Sequence, residues 1–231
     1  MGGIRRWTDS SLVGTRTNSV KEKNKSIGIF GGTFDPVHNG HLRVALEAIE
    51  QIKLTEVRFV PNSRPSHRAP PVATPTERLQ MLRSVIRPPF CVDDIELRRG
   101  GVSYMGETLE VLRERYASFS LCLILGRDAF EKLPTWHRAE DVLKLANVVV
   151  ASREHISHEL LPEDLDDFIG NRYSDDTLDL RKNESGKVFL MNIPLLPISS
   201  HDLRNRVGRG KSVEHLVPEV LVTSIARVYR K

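Results

Sequence analysis

The sequence predicts an α/β fold: a doubly wound parallel sheet with helices on both faces. Two observations carry this expectation. Short apolar runs alternate with segments of helical periodicity along most of the chain, the pattern of a parallel sheet buried under helices. The first run, 27–30, ends in Gly31-Gly32 and leads into a helical segment, so a buried strand enters a glycine turn.

Each element follows in order. Leu42, Ala45, Leu46, Ile49 and Ile52 recur at helical spacing after Asn39, which suits an N-cap. Residues 57–60 form the next strand, stopped by Pro61, and 61–74 read as a proline-rich, basic loop. Thr74-Pro75-Thr76-Glu77 is a strong helix start: a capping threonine, a proline in the first turn and a glutamate placed for a capping box. Leu79, Leu82, Val85 and Ile86 give that helix its apolar face. Residues 90–97 read as a strand, 107–115 as a helix, 121–125 as a strand, 138–145 as a helix and 148–151 as a strand. The polar, acidic stretch 154–186 reads as an insertion or loop. A last strand at 188–193 precedes helices near 201–207 and 218–228.

Composition narrows the function classes. With 231 residues, 39% hydrophobic and 28% charged, the chain is long enough for a proper core and has the balance of a soluble globular protein. No apolar run approaches bilayer length, so no membrane partner is expected. Cys91 and Cys122 sit in apolar strand-like runs and read as buried, reduced thiols of a cytoplasmic protein. The pI near 9.2 suggests nucleic acid until the charge is located. Residues 1–25 hold Arg5, Arg6, Arg16, Lys21, Lys23 and Lys25 against Asp9 and Glu22, a surplus that equals the formal +4 of the whole chain. The remainder is neutral overall, so the basicity belongs to a leader that reads as disordered, and no nucleic-acid partner is expected. That leader lacks the apolar run of a secretory signal.

The richest chemistry lies in Gly31-Gly32-Thr33-Phe34-Asp35-Pro36-Val37-His38-Asn39-Gly40-His41. A glycine turn lets backbone N–H groups approach an anion, and the helix N-terminus that follows favours negative charge. His38 and His41, three residues apart, can donate to phosphate oxygens from one side. The plain alternative is a tight turn with two structural histidines. No third or fourth ligand stands at recognisable spacing, so no protein metal site is expected. Gly210-Lys211-Ser212 imitates the end of a P-loop, but Asn205 occupies the position of the first glycine and the segment follows a helix.

The long form GGTFDPVHNGH resembles the signature of the HxGH nucleotidyltransferase superfamily, and within it the bacterial nicotinate-nucleotide adenylyltransferases. The likeness runs from about Ser26 to the C-terminus. It implies a single Rossmann-like nucleotidyltransferase domain over 26–231, with a small C-terminal helical part over about 198–231.

Further segments carry the resemblance. Asn62, His67 and Arg68 lie in a segment similar to the family's PN..PPHK loop, with Ser66 in place of a proline. Ser103-Tyr104-Met105 resembles SYT, with Met105 for threonine; a helix cap by Ser103 is the plain reading. Gly126 and Asp128 resemble GxD at a strand end, where an aspartate can accept from ribose hydroxyls. Capping of the next helix is the alternative. Pro134-Thr135-Trp136 resembles PTW, whose indole would stack on a cationic pyridinium, and Arg153 matches an arginine near the substrate. Ser199, Ser200 and Arg204 resemble ISST..R, an anion clamp at a helix N-terminus, with His201 for threonine.

The resemblance implies transfer of the adenylyl group of ATP to nicotinate mononucleotide in NAD biosynthesis, with Mg2+ accompanying ATP. His38, His41 and Arg204 would act on the triphosphate. Gly31, Gly32, Thr33, Phe34, Gly126, Asp128, Ser199 and Ser200 would bind ATP. Asn62, His67, Arg68, Tyr104, Met105, Trp136 and Arg153 would bind the mononucleotide. The rivals are a sister transferase acting on phosphopantetheine or nicotinamide mononucleotide, a nucleotide sensor without catalysis, and a nucleic-acid binder using the leader.

Overall fold

The computed structural model describes residues 25–66, 69–152, 161–194 and 196–230. His67, Arg68, Arg153 and nearly all of the basic leader lie outside the described residues. β1 (Ser26–Gly32) leads through the glycine turn to α1 (Asn39–Ile52), β2 (Glu56–Pro61), the short β3 (Arg64–Pro65) and α2 (Pro75–Val85). Then come β4 (Phe90–Val92), α3 (Ile95–Arg99), β5 (Val102–Ser103), α4 (Met105–Arg115), β6 (Ser120–Gly126) and α5 (Arg127–Phe130). The chain continues through α6 (Ala139–Leu145), β7 (Asn147–Ser152), α7 (Glu163–Ile169), α8 (Thr177–Lys182), β8 (Val188–Asn192), α9 (Ser200–Gly208) and α10 (Val222–Tyr229).

Six strands form one sheet in the order β4-β2-β1-β6-β7-β8, and every neighbouring pair is parallel. The chain builds outward from β1 on one side, then returns to β1 and builds outward on the other. This is the Rossmann order, and it reverses between β1 and β6. Ile29 pairs with Leu123, so the ends of β1 at Gly32 and β6 at Gly126 emerge at one level beside that reversal. Strands that diverge there leave a crevice at their C-terminal ends, where α/β folds bind ligands.

Period two divides the core. Ile27, Ile29, Leu121, Leu123, Leu125, Val148 and Val150 face α4, α6 and α7; Phe30, Cys122, Ile124, Val149 and Ala151 face the opposite layer. In that second layer α1 and α2 are joined by Leu203 and Val207 of α9 and by Ile225, Val228 and Tyr229 of α10. The C-terminal helices therefore pack on the main core and bring the N-terminal end of α9 and the C-terminal end of α10 toward the glycine turn.

The capping box on α2 forms as expected: Thr74 Oγ1 accepts from Glu77 N and Glu77 accepts from Thr74 N. Four expectations are corrected. The strand over 90–97 stops at Val92, because Asp93 accepts from Ile95 N and α3 begins directly after Asp94. The stretch 154–186 is not simply a loop, since α7 and α8 lie within it; Leu165 and Ile169 bury one face, and Asp176 caps α8. His38, not Asn39, is the N-cap of α1, and Leu46 is exposed while Ala45 and Ala48 face the core. The loop after β2 contains β3, paired in parallel with β5.

Candidate active site

The turn after β1 is built around Phe34. Its backbone is left-handed (φ 50°), and its buried ring packs beneath Gly32 so closely that a Cβ there would sit 2.9 Å from Cζ. A Cβ on Gly31 would collide with the Met105 methyl group. The Phe34 ring makes Gly32 a position of close approach, whereas at Gly31 the flexible end of Met105 would have to move aside. The Phe34 side chain is a packing element.

His38 and His41 stack with ring centroids 3.7 Å apart. His41 Nδ1 accepts from His38 N at 3.3 Å, which places the proton of a neutral His41 ring on Nε2, the donor position needed for an anion. Gly40 keeps the pair together: a Cβ there would approach the His38 ring to 3.0 Å and the Ile198 carbonyl to 3.5 Å.

Asp35 is the buried hub of this turn. Its carboxylate accepts from Val72 N, Ala73 N and the Tyr229 hydroxyl at 2.9, 3.0 and 2.7 Å. Burial, reinforced by Asp35, raises the Tyr229 pKa and keeps the phenol a donor. The α9 N-terminus docks on the same turn. Ser200 Oγ donates to Pro36 O at 2.9 Å, and Arg204 donates to Asp35 O at 2.6 Å with its guanidinium 3.5 Å from the carboxylate. Ser199 caps α9 by accepting from Asp202 N. Ser199, Ser200 and Arg204 are thus gathered beside His38 and His41, with their polar atoms engaged by protein.

The second side of the site is tied to the first. Asn62 Nδ2 donates to Thr33 Oγ1 at 3.1 Å, and Asn62 N to Gly32 O at 3.0 Å, so the Asn62 side chain braces the turn. Ser63 N donates to Ser103 Oγ at 2.9 Å, so Ser103 serves the neighbouring loop while Tyr104 is the N-cap of α4. Glu96, buried beneath, accepts from Thr108 Oγ1, and burial raises its pKa. Tyr104 and His137 face each other at 4.5 Å, which joins the start of α4 to the segment carrying Trp136. Trp136 itself is half buried against the apolar cluster under α4. Gly126 is the N-cap of α5, and Asp128 stands exposed in its first turn.

The glycine turn and helix start thus stand beside an exposed aspartate across the sheet reversal and an aromatic-lined second side. Residues 29–206 match the cytidylyltransferase-like family. A protein of Methylococcus capsulatus named "Probable nicotinate-nucleotide adenylyltransferase" is 42% identical over 204 residues, covering 87% of this chain and 97% of that relative. The chain belongs to the nicotinate-nucleotide adenylyltransferase family. A relative of the same name in Pseudomonas fluorescens is 41% identical over 87% of this chain and 94% of its own. The fold matches the structure of Plasmodium falciparum nicotinic acid mononucleotide adenylyltransferase complexed with NaAD (TM-score 0.65, 19% identity, 88% of this chain and 95% of that chain). The chain is accordingly a nucleotidyltransferase of NAD biosynthesis, as its sequence implies. Among the described residues, no helix is long and apolar enough to cross a membrane.

Sequence reading singled out no role for Asp35, Gly40, Arg78 or Tyr229. Asp35 and Gly40 stand inside the long motif and were visible there. Arg78 and Tyr229 carry no local signal, because an arginine and a tyrosine on amphipathic helices read as surface and core.

Proposed function

We propose that this chain transfers the adenylyl group of ATP to nicotinate mononucleotide, giving nicotinate adenine dinucleotide and pyrophosphate. The observation that carries the reading is the His38–His41 pair at the α1 N-terminus, beside the reversal between β1 and β6. The 5′-phosphate oxygen of the mononucleotide attacks the α-phosphorus. A new P–O bond forms, the bond from the α-phosphorus to the bridging oxygen breaks, and that oxygen leaves with pyrophosphate. The attacking group is already an anion, so positioning and charge neutralisation are the main demands.

His41 Nε2 and His38 meet the triphosphate together with the Gly31-Gly32 and Phe34 backbone and the Thr33 hydroxyl. Arg204 moves from Asp35 to a phosphate, aided by Ser199 and Ser200. Asp128 accepts from the ribose beside Gly126. On the mononucleotide side, Trp136 and Tyr104 line the pyridine, the Met105 backbone lies at the α4 start, and Asn62, His67, Arg68 and Arg153 contribute from the adjoining segments. The domain that does this is 26–231, in a cytoplasmic setting that suits its free cysteines.

Mg2+ fits as a companion of ATP and not as a resident of the protein. Asp35, the carboxylate of the turn, is occupied by two backbone N–H groups, Tyr229 and Arg204. With ATP bound, the ion would supply charge neutralisation at the phosphates without a ligand from this carboxylate.

The experiment supplies ATP and Mg2+ with either nicotinate mononucleotide or 4′-phosphopantetheine and identifies products by mass. The reading expects nicotinate adenine dinucleotide and pyrophosphate from the first mixture alone. Adenylylated phosphopantetheine would replace it with the sister reaction.

A further inference from the structure

Arg78 is fully buried on α2, yet its guanidinium reaches two different sides of the site. One amino group donates to Thr33 O at 2.8 Å and to Asn62 Oδ1 at 3.3 Å; the other donates to Asn62 O at 2.8 Å and Ser63 O at 3.2 Å. Thr33 belongs to the glycine turn, which carries the ATP-side groups. Asn62 and Ser63 open the loop after β2, which the hydrogen bond from Ser63 N to Ser103 Oγ ties to the segment carrying Tyr104 and Met105. Burial disfavours the charged form of Arg78, and Asp35 opposes that trend. A cation has thus been kept in the interior at the point where both substrate-binding segments leave the sheet.

We propose that Arg78 is a positioning residue for adenylyl transfer: its guanidinium fixes the glycine turn against the Asn62-Ser63 loop and so sets the attacking phosphate in line with the α-phosphorus. This rests on the reaction proposed above. A planar fork with several donors can hold carbonyls in two directions at once; a lysine ammonium on a flexible stem cannot reproduce that spacing. Displacing reacting groups by about 1 Å can lower turnover about 100-fold.

A second arginine clamp provides the control. Arg113 donates to the carbonyls of Phe119, Leu145 and Glu184 at 2.7–2.8 Å. It stands at the N-terminal ends of β6 and β7, the end of the sheet away from the site. It is therefore an arginine of the same kind that bonds to neither substrate segment, although it sits near the far end of α4, whose start carries Tyr104 and Met105.

The test measures kcat, both KM values and Tm for the wild type, Arg78→Met, Arg78→Lys, Arg113→Met and Arg113→Lys, at a temperature well below every melting point. Wild-type turnover with ATP and nicotinate mononucleotide is established first, and its absence would remove the reaction rather than the role of Arg78. Given an active wild type, Arg78→Met loses about 100-fold in kcat with much smaller changes in KM, while Arg113→Met keeps its kcat at a comparable loss of Tm. Arg78→Lys, which retains the charge beside Asp35, recovers Tm but not kcat. Should a methionine variant fail to fold, the two lysine variants carry the same comparison. Kcat that recovers in step with Tm in Arg78→Lys, or Arg78 variants as active as those of Arg113, would leave Arg78 a structural residue and overturn the proposal.

Discussion

Removing a single hydroxyl tests whether the C-terminal helix stabilises the glycine turn. In Tyr229→Phe the ring stays in the core and only the 2.7 Å hydrogen bond to Asp35 is lost. Tyr229 is 6% exposed and Asp35 3%, so water does not readily replace the donor. A hydrogen bond to a charged group contributes about 1.5–3 kcal/mol. Asp35 keeps two backbone N–H donors and Arg204, which places the loss toward the lower end, about 2 kcal/mol. For a domain of this size that is a fall in Tm of roughly 4–8 °C. Thermal melts followed by circular dichroism, repeated by urea titration, give the number. The KM for ATP should also rise, because Asp35 then holds Arg204 more tightly. An unchanged Tm would refute the reasoning, since it would mean that the buried carboxylate does not need the phenol.

Three further outcomes follow from the same geometry. His41→Ala lowers kcat by about 10²–10³ while the circular dichroism spectrum stays that of the folded protein and Tm falls by only the few degrees expected for a lost helix-start bond; near-normal turnover would remove His41 from the mechanism. Trp136→Ala raises the KM for the mononucleotide far more than that for ATP, read from paired saturation curves, and equal rises would count against stacking on the pyridine. Glu96 has a folded pKa raised above 4.5 by burial, so the folded state holds its proton more tightly and stability falls as pH climbs past that value. The Tm of Glu96→Gln should therefore gain on that of wild type between acid and neutral pH, and a difference independent of pH would contradict the assignment.

The sheet was legible because its strands are continuous apolar runs flanked by breakers, as at 121–125 and 148–151. The α2 start was legible down to its hydrogen bonds, because a capping box is local chemistry. The errors fell where tertiary contacts decide. Phe90–Val92 and Ile95–Arg99 look like one apolar segment until Asp93 turns the chain and meets Arg58 and Arg115. The helices α7 and α8 each bury one or two residues, too few to leave a periodic signal in acidic sequence. At the candidate site, the motif residues draw attention because the glycines, histidines and serines are concentrated in short stretches. The partners of their backbone do not. Arg78 and its partner Thr33 are 45 positions apart, and Tyr229 lies 194 from Asp35. Ser199, Ser200, Arg204 and Asn62 stand out in the sequence as candidates, yet the bonds they make within the protein were not legible.

The most direct measurement of the central claim is pyrophosphate release with ATP and Mg2+, compared as kcat/KM for nicotinate and nicotinamide mononucleotide. The account predicts release with both or with nicotinate alone, and a strong preference for nicotinate. No release with either would contradict adenylyl transfer to a pyridine mononucleotide and return the chain to the reading of a nucleotide sensor that kept the fold.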